Sequence, residues 1–67
     1  MISVGEDFPK QQERVRHLID EYRALPNGAG VPGAIILDDV LRRAAEAQSS
    51  GDVVQIVCMY QELVGCE

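Results

Sequence analysis

Three sets of residues in this 67-residue chain have the types and spacing to do chemistry, and each also has a plainer use. Glu13, His17 and Glu21 recur at every fourth position, which stacks them on one helix face in a pattern that suits zinc or a hard cation. A closed metal site usually draws three or four ligands from more than one element, so a solvent-facing charge column is the expected role. Cys58 and Cys66 have no histidine or cation nearby in sequence to lower a thiol pKa, so neither is expected to act as a nucleophile. Their separation on a helix is about 12 Å of axial rise, beyond the roughly 7 Å limit for a disulfide. Gly28, Gly30 and Gly33 spell GxGxxG, but a dinucleotide site needs a preceding strand, and Pro32 lacks the N–H that a phosphate would use. An interhelical turn is the expected reading. With no Ser-His-Asp, paired-carboxylate or phosphate-loop arrangement, no catalytic residues, cofactor or metal are expected.

A fourth pattern concerns nucleic acid. Ala47, Gly51 and Val57 have the spacing of a helix-turn-helix, with Ser49 to Asp52 as its turn. A recognition helix must offer cations and amides to phosphates and bases, yet Val53 to Val64 holds two glutamines, one glutamate and no cation. The spacing is therefore read as tight packing at a short turn, and DNA regulation is kept as an alternative function.

The elements that carry these residues follow from apolar periodicity and helix punctuation. Residues 1–8 are expected to be a flexible tail, because Ile2 and Val4 are too short an alternation to make a strand. Pro9 suits a first helical position, so helix one is placed at 9–25, with Phe8, Val15, Leu18, Ile19, Tyr22 and Leu25 on its buried stripe. On its opposite face Arg16 and Asp20 are spaced to pair. Two prolines and three glycines in residues 26–33 then make a turn. Helix two is placed at 32–49, burying Leu37, Val40, Leu41, Ala44 and Ala47. Its polar arc carries the spaced pairs Asp38 with Arg42, Asp39 with Arg43 and Arg42 with Glu46. Ile35 falls inside that arc. Packing under the preceding loop is the favoured reading, and exposure to a partner is the other.

Gly51 suits the left-handed end of a helix, and Asp52 with Gln55 is a capping-box pattern, which places helix three at 53–65. Its β-branched residues would also suit a strand, but length, cap and continuing apolar pattern favour a helix. This helix is expected to be what the rest of the chain covers. Val53, Ile56, Val57, Tyr60, Leu63 and Val64 fill a broad face, and Val54, Cys58 and Met59 lie outside its centre. Two helices, one of them alanine-rich, cannot cover all of it. Surplus apolar surface marks interfaces, so Ile35, Val54, Cys58 and Met59 are the candidate partner contacts, with an ordinary core or edge position as the equal alternative for Cys58 and Met59.

Composition sets the frame. The chain is 46% hydrophobic and 25% charged, which is globular composition, and its net charge of −5 works against nucleic acid and anionic membranes. No apolar run approaches a membrane span of about 18 residues, and a reducing cytoplasmic setting is expected.

From EYRALPNGAGVPGAIILDDVLRRAAEA through SSGDVVQIVCMYQEL the chain resembles short uncharacterised proteins of Mu-like transposable phages and prophages. The features that carry the resemblance are the Tyr22 helix end, the glycine-rich turn, the run Leu41-Arg42-Arg43-Ala44, and Gly51-Asp52-Val53-Val54 before an apolar helix. Val31-Pro32-Gly33 departs from it, standing where an aromatic would precede the glycine. The resemblance implies a phage-encoded accessory role in the host cytosol and brings no functional residues with it. The expectation is thus a single all-α domain of three helices that associates as a helical dimer. It would act by binding itself or a host protein, with a structural self-assembly module as a further alternative.

Overall fold

The computed structural model describes residues 3–67. Its elements are α1 (Val4–Arg23), a single 3-10 turn (Pro26–Gly28), α2 (Val31–Ser50) and α3 (Val53–Gly65). Among the described residues there is no strand, and the three helices form one all-α domain.

The first helix begins at Val4 rather than at Pro9. Ser3 caps it: its hydroxyl accepts from the Glu6 N–H at 3.2 Å, and its carbonyl accepts from the Glu6 and Asp7 N–H groups. Pro9 therefore sits inside the helix. Its missing N–H costs one hydrogen bond near the solvent-exposed start, and the full burial of Phe8 that follows offsets this. The expected tail is accordingly helical from Val4 onward, and Met1 and Ile2 lie outside the described residues. The other end of α1 falls at Arg23, short of Leu25, which takes extended geometry before Pro26 and is exposed.

Phe8, Gln12, Val15 and Ile19 make the buried stripe of α1, and Ala34, Leu37, Val40, Ala44 and Ala47 make that of α2. The two helices run antiparallel, as the link between Gln12 and Gln48 and the meeting of Tyr22 with Gly30 and Gly33 require. Small residues set their separation. A Cβ on Gly30 would stand 1.9 Å from the Tyr22 carbonyl oxygen, and one on Gly33 would stand 3.1 Å from the Tyr22 ring. The three glycines of the GxGxxG match thus serve packing and turning: Gly30 and Gly33 let α2 start against α1, and Gly28 holds φ +70° in the turn. Asn27 beside it takes φ +60°, a conformation asparagine tolerates well.

Gln12 is the polar side chain in the core, 6% exposed, and its amide donates to the Gln48 side-chain oxygen at 3.1 Å. Periodicity marks the position as buried, but residue type hides it. Among the described residues no buried side-chain nitrogen or oxygen lacks a partner.

The glycine contacts give a paired test by chemical denaturation. Gly30→Ala must push apart two backbones and is expected to destabilise by roughly 2 kcal/mol or more. Gly5→Ala, whose added Cβ meets nothing within 4 Å, is expected to be neutral or stabilising by up to about 1 kcal/mol.

Candidate functional site

Helix α3 is where the candidate contact residues fall, and its placement begins with its cap. Gly51 ends α2 at φ +70°, and the Asp52 carboxylate accepts from the N–H groups of Val54 and Gln55 at 3.0 and 3.3 Å. The reciprocal half of the expected capping box is absent. The Asp52 N–H instead donates to the Ser50 hydroxyl at 3.2 Å, and that hydroxyl donates to the Ala47 carbonyl.

From this start the helix rotates differently from the sequence expectation. Its inner face is Met59 and Leu63, flanked by half-buried Ile56, Tyr60 and Cys66. Met59 is 5% exposed and belongs to the core, so it is not available as the partner contact expected from sequence. Val53, Val57 and Val64, expected inside, are instead exposed. Ile35 is also exposed, against the favoured expectation that the preceding loop would cover it, and Val54 and Cys58 lie on the surface as expected. The helix is thus a cover laid on the α1–α2 pair and not the element that the others surround.

Polar links fix that cover where apolar burial is thin. The Arg14 guanidinium donates to the Cys66, Leu63 and Val64 carbonyls at 2.9, 2.6 and 3.3 Å, satisfying orphan acceptors at the end of α3. Gln11 orients it by accepting from its Nε at 2.9 Å. At the other end of the contact the Tyr60 hydroxyl donates to the Asp7 carboxylate at 2.6 Å, and Gln11 donates to the same oxygen at 3.1 Å. Tyr22 donates to the Glu67 carbonyl, and Arg43 reaches Glu62 at 3.0 Å.

The chemistry-bearing residues are dispersed. His17 and Glu13 approach to 3.4 Å on an exposed face, and among the described residues no group of three His, Cys, Asp or Glu is arranged to hold a metal ion. Arg16 pairs with Glu13 at 3.1 Å in place of Asp20, and Asp38 meets Arg23 in place of Arg42. Cys58 and Cys66 are both free thiols. Burial pushes the Cys66 thiol up, away from the thiolate a nucleophile needs, and the nearby Arg14 only partly opposes this.

What α3 does assemble is a surface. Val53, Val54, Val57 and Val64 are 71%, 68%, 39% and 50% exposed, and no charged side chain stands between Asp52 and Glu62. Helical geometry puts Val53, Val57 and Val64 on one side of this surface, with Val54, Cys58 and Gln61 beside them and half-buried Tyr60 at the edge that meets α1. The signal for this surface is the spacing of Val53, Val57 and Val64 by four and then seven. In sequence it was indistinguishable from a core stripe.

Fold and surface together define a three-helix all-α domain with an uncovered apolar helix face. Comparison with known proteins finds no matching family model, no matching curated protein and no matching solved structure. Among the described residues no helix is long and apolar enough to cross a membrane.

Two expectations follow from the links to α1. The hydrogen bond from Tyr60, then that from Gln11, holds the Asp7 carboxyl below its ordinary 3.8, and contacts with Arg42 and Arg43 do the same for Asp39. Both groups bind their proton less readily folded than unfolded. They therefore add stability above pH 3.8 that is lost as pH falls through the lowered folded values. Tyr60→Phe is expected to flatten that acid loss in a pH series of denaturation curves, whereas an unchanged slope would show that the Tyr60 link does not hold Asp7. Separately, Arg14→Met keeps the aliphatic stem but frees three carbonyls. It is expected to cost about 1–3 kcal/mol and to speed amide hydrogen exchange selectively in the last turn of α3.

Proposed function

We propose that this protein is a small binding module that acts by docking another protein on the outer face of α3. The observation that carries the reading is the exposed row of valines on a helix with no charged side chain from Val53 to Gln61. A soluble domain gains nothing in isolation from leaving such a face in water, and exposed apolar patches of this kind mark interaction sites. The accessory role implied by the resemblance to Mu-like phage proteins fits a module of this size, with a cytosolic host protein or a second copy as its partner. Ile35 and Ile36 on α2 add further exposed apolar surface at another part of the domain.

DNA regulation has less support. Val57 occupies the apolar position that a helix-turn-helix would bury between its helices, and here it is exposed. The five arginines are engaged within the chain: Arg14 with carbonyls of α3, and Arg16, Arg23, Arg42 and Arg43 with carboxylates.

The reading is tested by affinity capture from a bacterial lysate with wild type beside Val54→Glu and Val57→Glu. Both substitutions lie on the surface and leave the core untouched. Loss from both variants of a specific captured protein, or of self-association by the purified chain, is the expected result, and an identical set of captured proteins together with unchanged self-association for all three would overturn it.

A further inference from the structure

We infer that Asn27 is a site of covalent self-modification, held in check by the closed turn between α1 and α2. When that turn opens, the backbone nitrogen of Gly28 attacks the Asn27 side chain and converts it to aspartate or isoaspartate.

The chemistry lies in the pair Asn27-Gly28, which contains the single asparagine of the chain. An asparagine side-chain carbonyl can reach the next backbone nitrogen through a small ring. In most sequences the following side chain obstructs that approach, and Gly28 has none. The Gly28 nitrogen bonds to Asn27 Cγ, the Cγ–Nδ2 bond breaks, and the proton from Gly28 leaves with the amide nitrogen as ammonia. Water then adds to one of the two carbonyls of the resulting cyclic imide. Opening at one carbonyl restores the ordinary backbone with aspartate at position 27. Opening at the other routes the backbone through Cγ and gives isoaspartate. Nothing is oxidised or reduced, and the co-reactant is the solvent that bathes this exposed residue.

The fold supplies the water but withholds the geometry. Asn27 sits at φ +60° and ψ 25°, which turns the Gly28 nitrogen away from the side of the backbone that carries Cβ. Attack requires a rotation about ψ that swings it round. Two contacts oppose that swing. The Ala29 N–H donates to the Pro26 carbonyl at 3.2 Å, closing a loop about Asn27. Gly30 is buried against the Tyr22 carbonyl, too close for even a Cβ to intervene. Rotation at Asn27 carries Gly28 and Ala29 with it, so it cannot occur while both contacts hold. The reaction therefore records how often this end of the α1–α2 pair opens.

The product bears on the fold in turn. Either acid adds a negative charge to a chain whose net charge is already −5. Isoaspartate also lengthens the backbone by one carbon within the span that must return Gly30 to Tyr22. That approach has no slack, so the isoaspartate chain is left with its turn loosened.

Incubation of the full chain at mildly alkaline pH, read by mass spectrometry with peptide mapping, tests the proposal. Folded wild type is expected to convert at position 27 at least tenfold more slowly than the same chain in denaturant, the protection that an opening cost of about 1.4 kcal/mol gives. Asn27→Gln must close a larger ring and is expected to suppress conversion there in both conditions. Gly30→Ala, which parts the backbones at the turn, is expected to bring the folded rate towards the denatured one. Phe8→Leu weakens the core at the far end of α1 and is expected to accelerate conversion much less for a matched loss of stability.

Equal rates in folded and denatured wild type overturn the restraint, and no conversion in denaturant overturns the site. Equal acceleration by Gly30→Ala and Phe8→Leu at matched stability assigns the reaction to global unfolding and overturns the role of the turn. If Gly30→Ala does not fold, wild type in low denaturant decides the same point. A rate that stays level below the unfolding transition supports local opening, and one that rises in step with global unfolding overturns it.

Discussion

The structure depends on one close approach, that of the Gly30 backbone to the carbonyl of Tyr22. It is tight enough that no side chain fits, since an added Cβ would lie 1.9 Å from the oxygen. Holding α2 against α1 at this end sets the line along which both helices then pack. The rest of that line carries Ala34, Ala44 and Ala47 around the larger Leu37 and Val40, so three of its five buried side chains are small. A core built this way is narrow. It leaves room for a third helix to lie on the pair but not to be enclosed by it. The large residues that α3 inserts, Met59 and Leu63, fill the groove, and the branched residues around them remain outside.

Because little of α3 is enclosed, directional bonds help to set its position. Arg14 of α1 reaches carbonyls at the end of α3, Tyr22 reaches that of Glu67 just past it, and Asp7 receives the Tyr60 hydroxyl from within the helix. These bonds fix rotation as well as location. A helix with apolar residues on nearly every side has no strong preference for which side faces inward. The hydroxyl of Tyr60, tied to Asp7, and the carbonyls captured by Arg14 make that choice. The result turns Met59 inward and Val53, Val57 and Val64 outward.

The same reasoning explains what was legible in the sequence and what was not. The boundaries of α2 and α3 were readable because Pro32, Gly51 and Asp52 carry local signals that need no tertiary context. The buried face of α2 was readable because its opposite face is charged. The start of α1 was not, since Pro9 is a stronger local signal than the single Ser3 cap and Phe8 supplies its burial only once the fold exists. The inward face of α3 was not readable either, because valine, isoleucine and methionine on all sides give periodicity nothing to distinguish, and the deciding bonds come from residues more than 45 positions away. The glycines of the turn matched a phosphate-binding pattern because that motif and a tight helix crossing both need backbone without side chains.

Electrostatics then limits what the exposed face of α3 can attract. On α2, Asp39 accepts from both Arg42 and Arg43, Arg42 also meets Glu46, and Arg43 crosses to Glu62 of α3. These contacts are exposed, so each is worth little to stability. Their effect is on recognition. They hold the cations of α2 in geometries already matched to carboxylates, so a phosphate would have to compete with an acid on the same chain. The acidic excess repels polyanions at long range, and the helix that a DNA reader would insert presents valine where it needs cations. What remains attractive at short range is removal of apolar surface from water, which is non-directional and tolerates no buried unpaired charge on the other side. On the proposed reading, a partner docking on α3 would therefore have to offer an apolar face with its charges displaced from the contact.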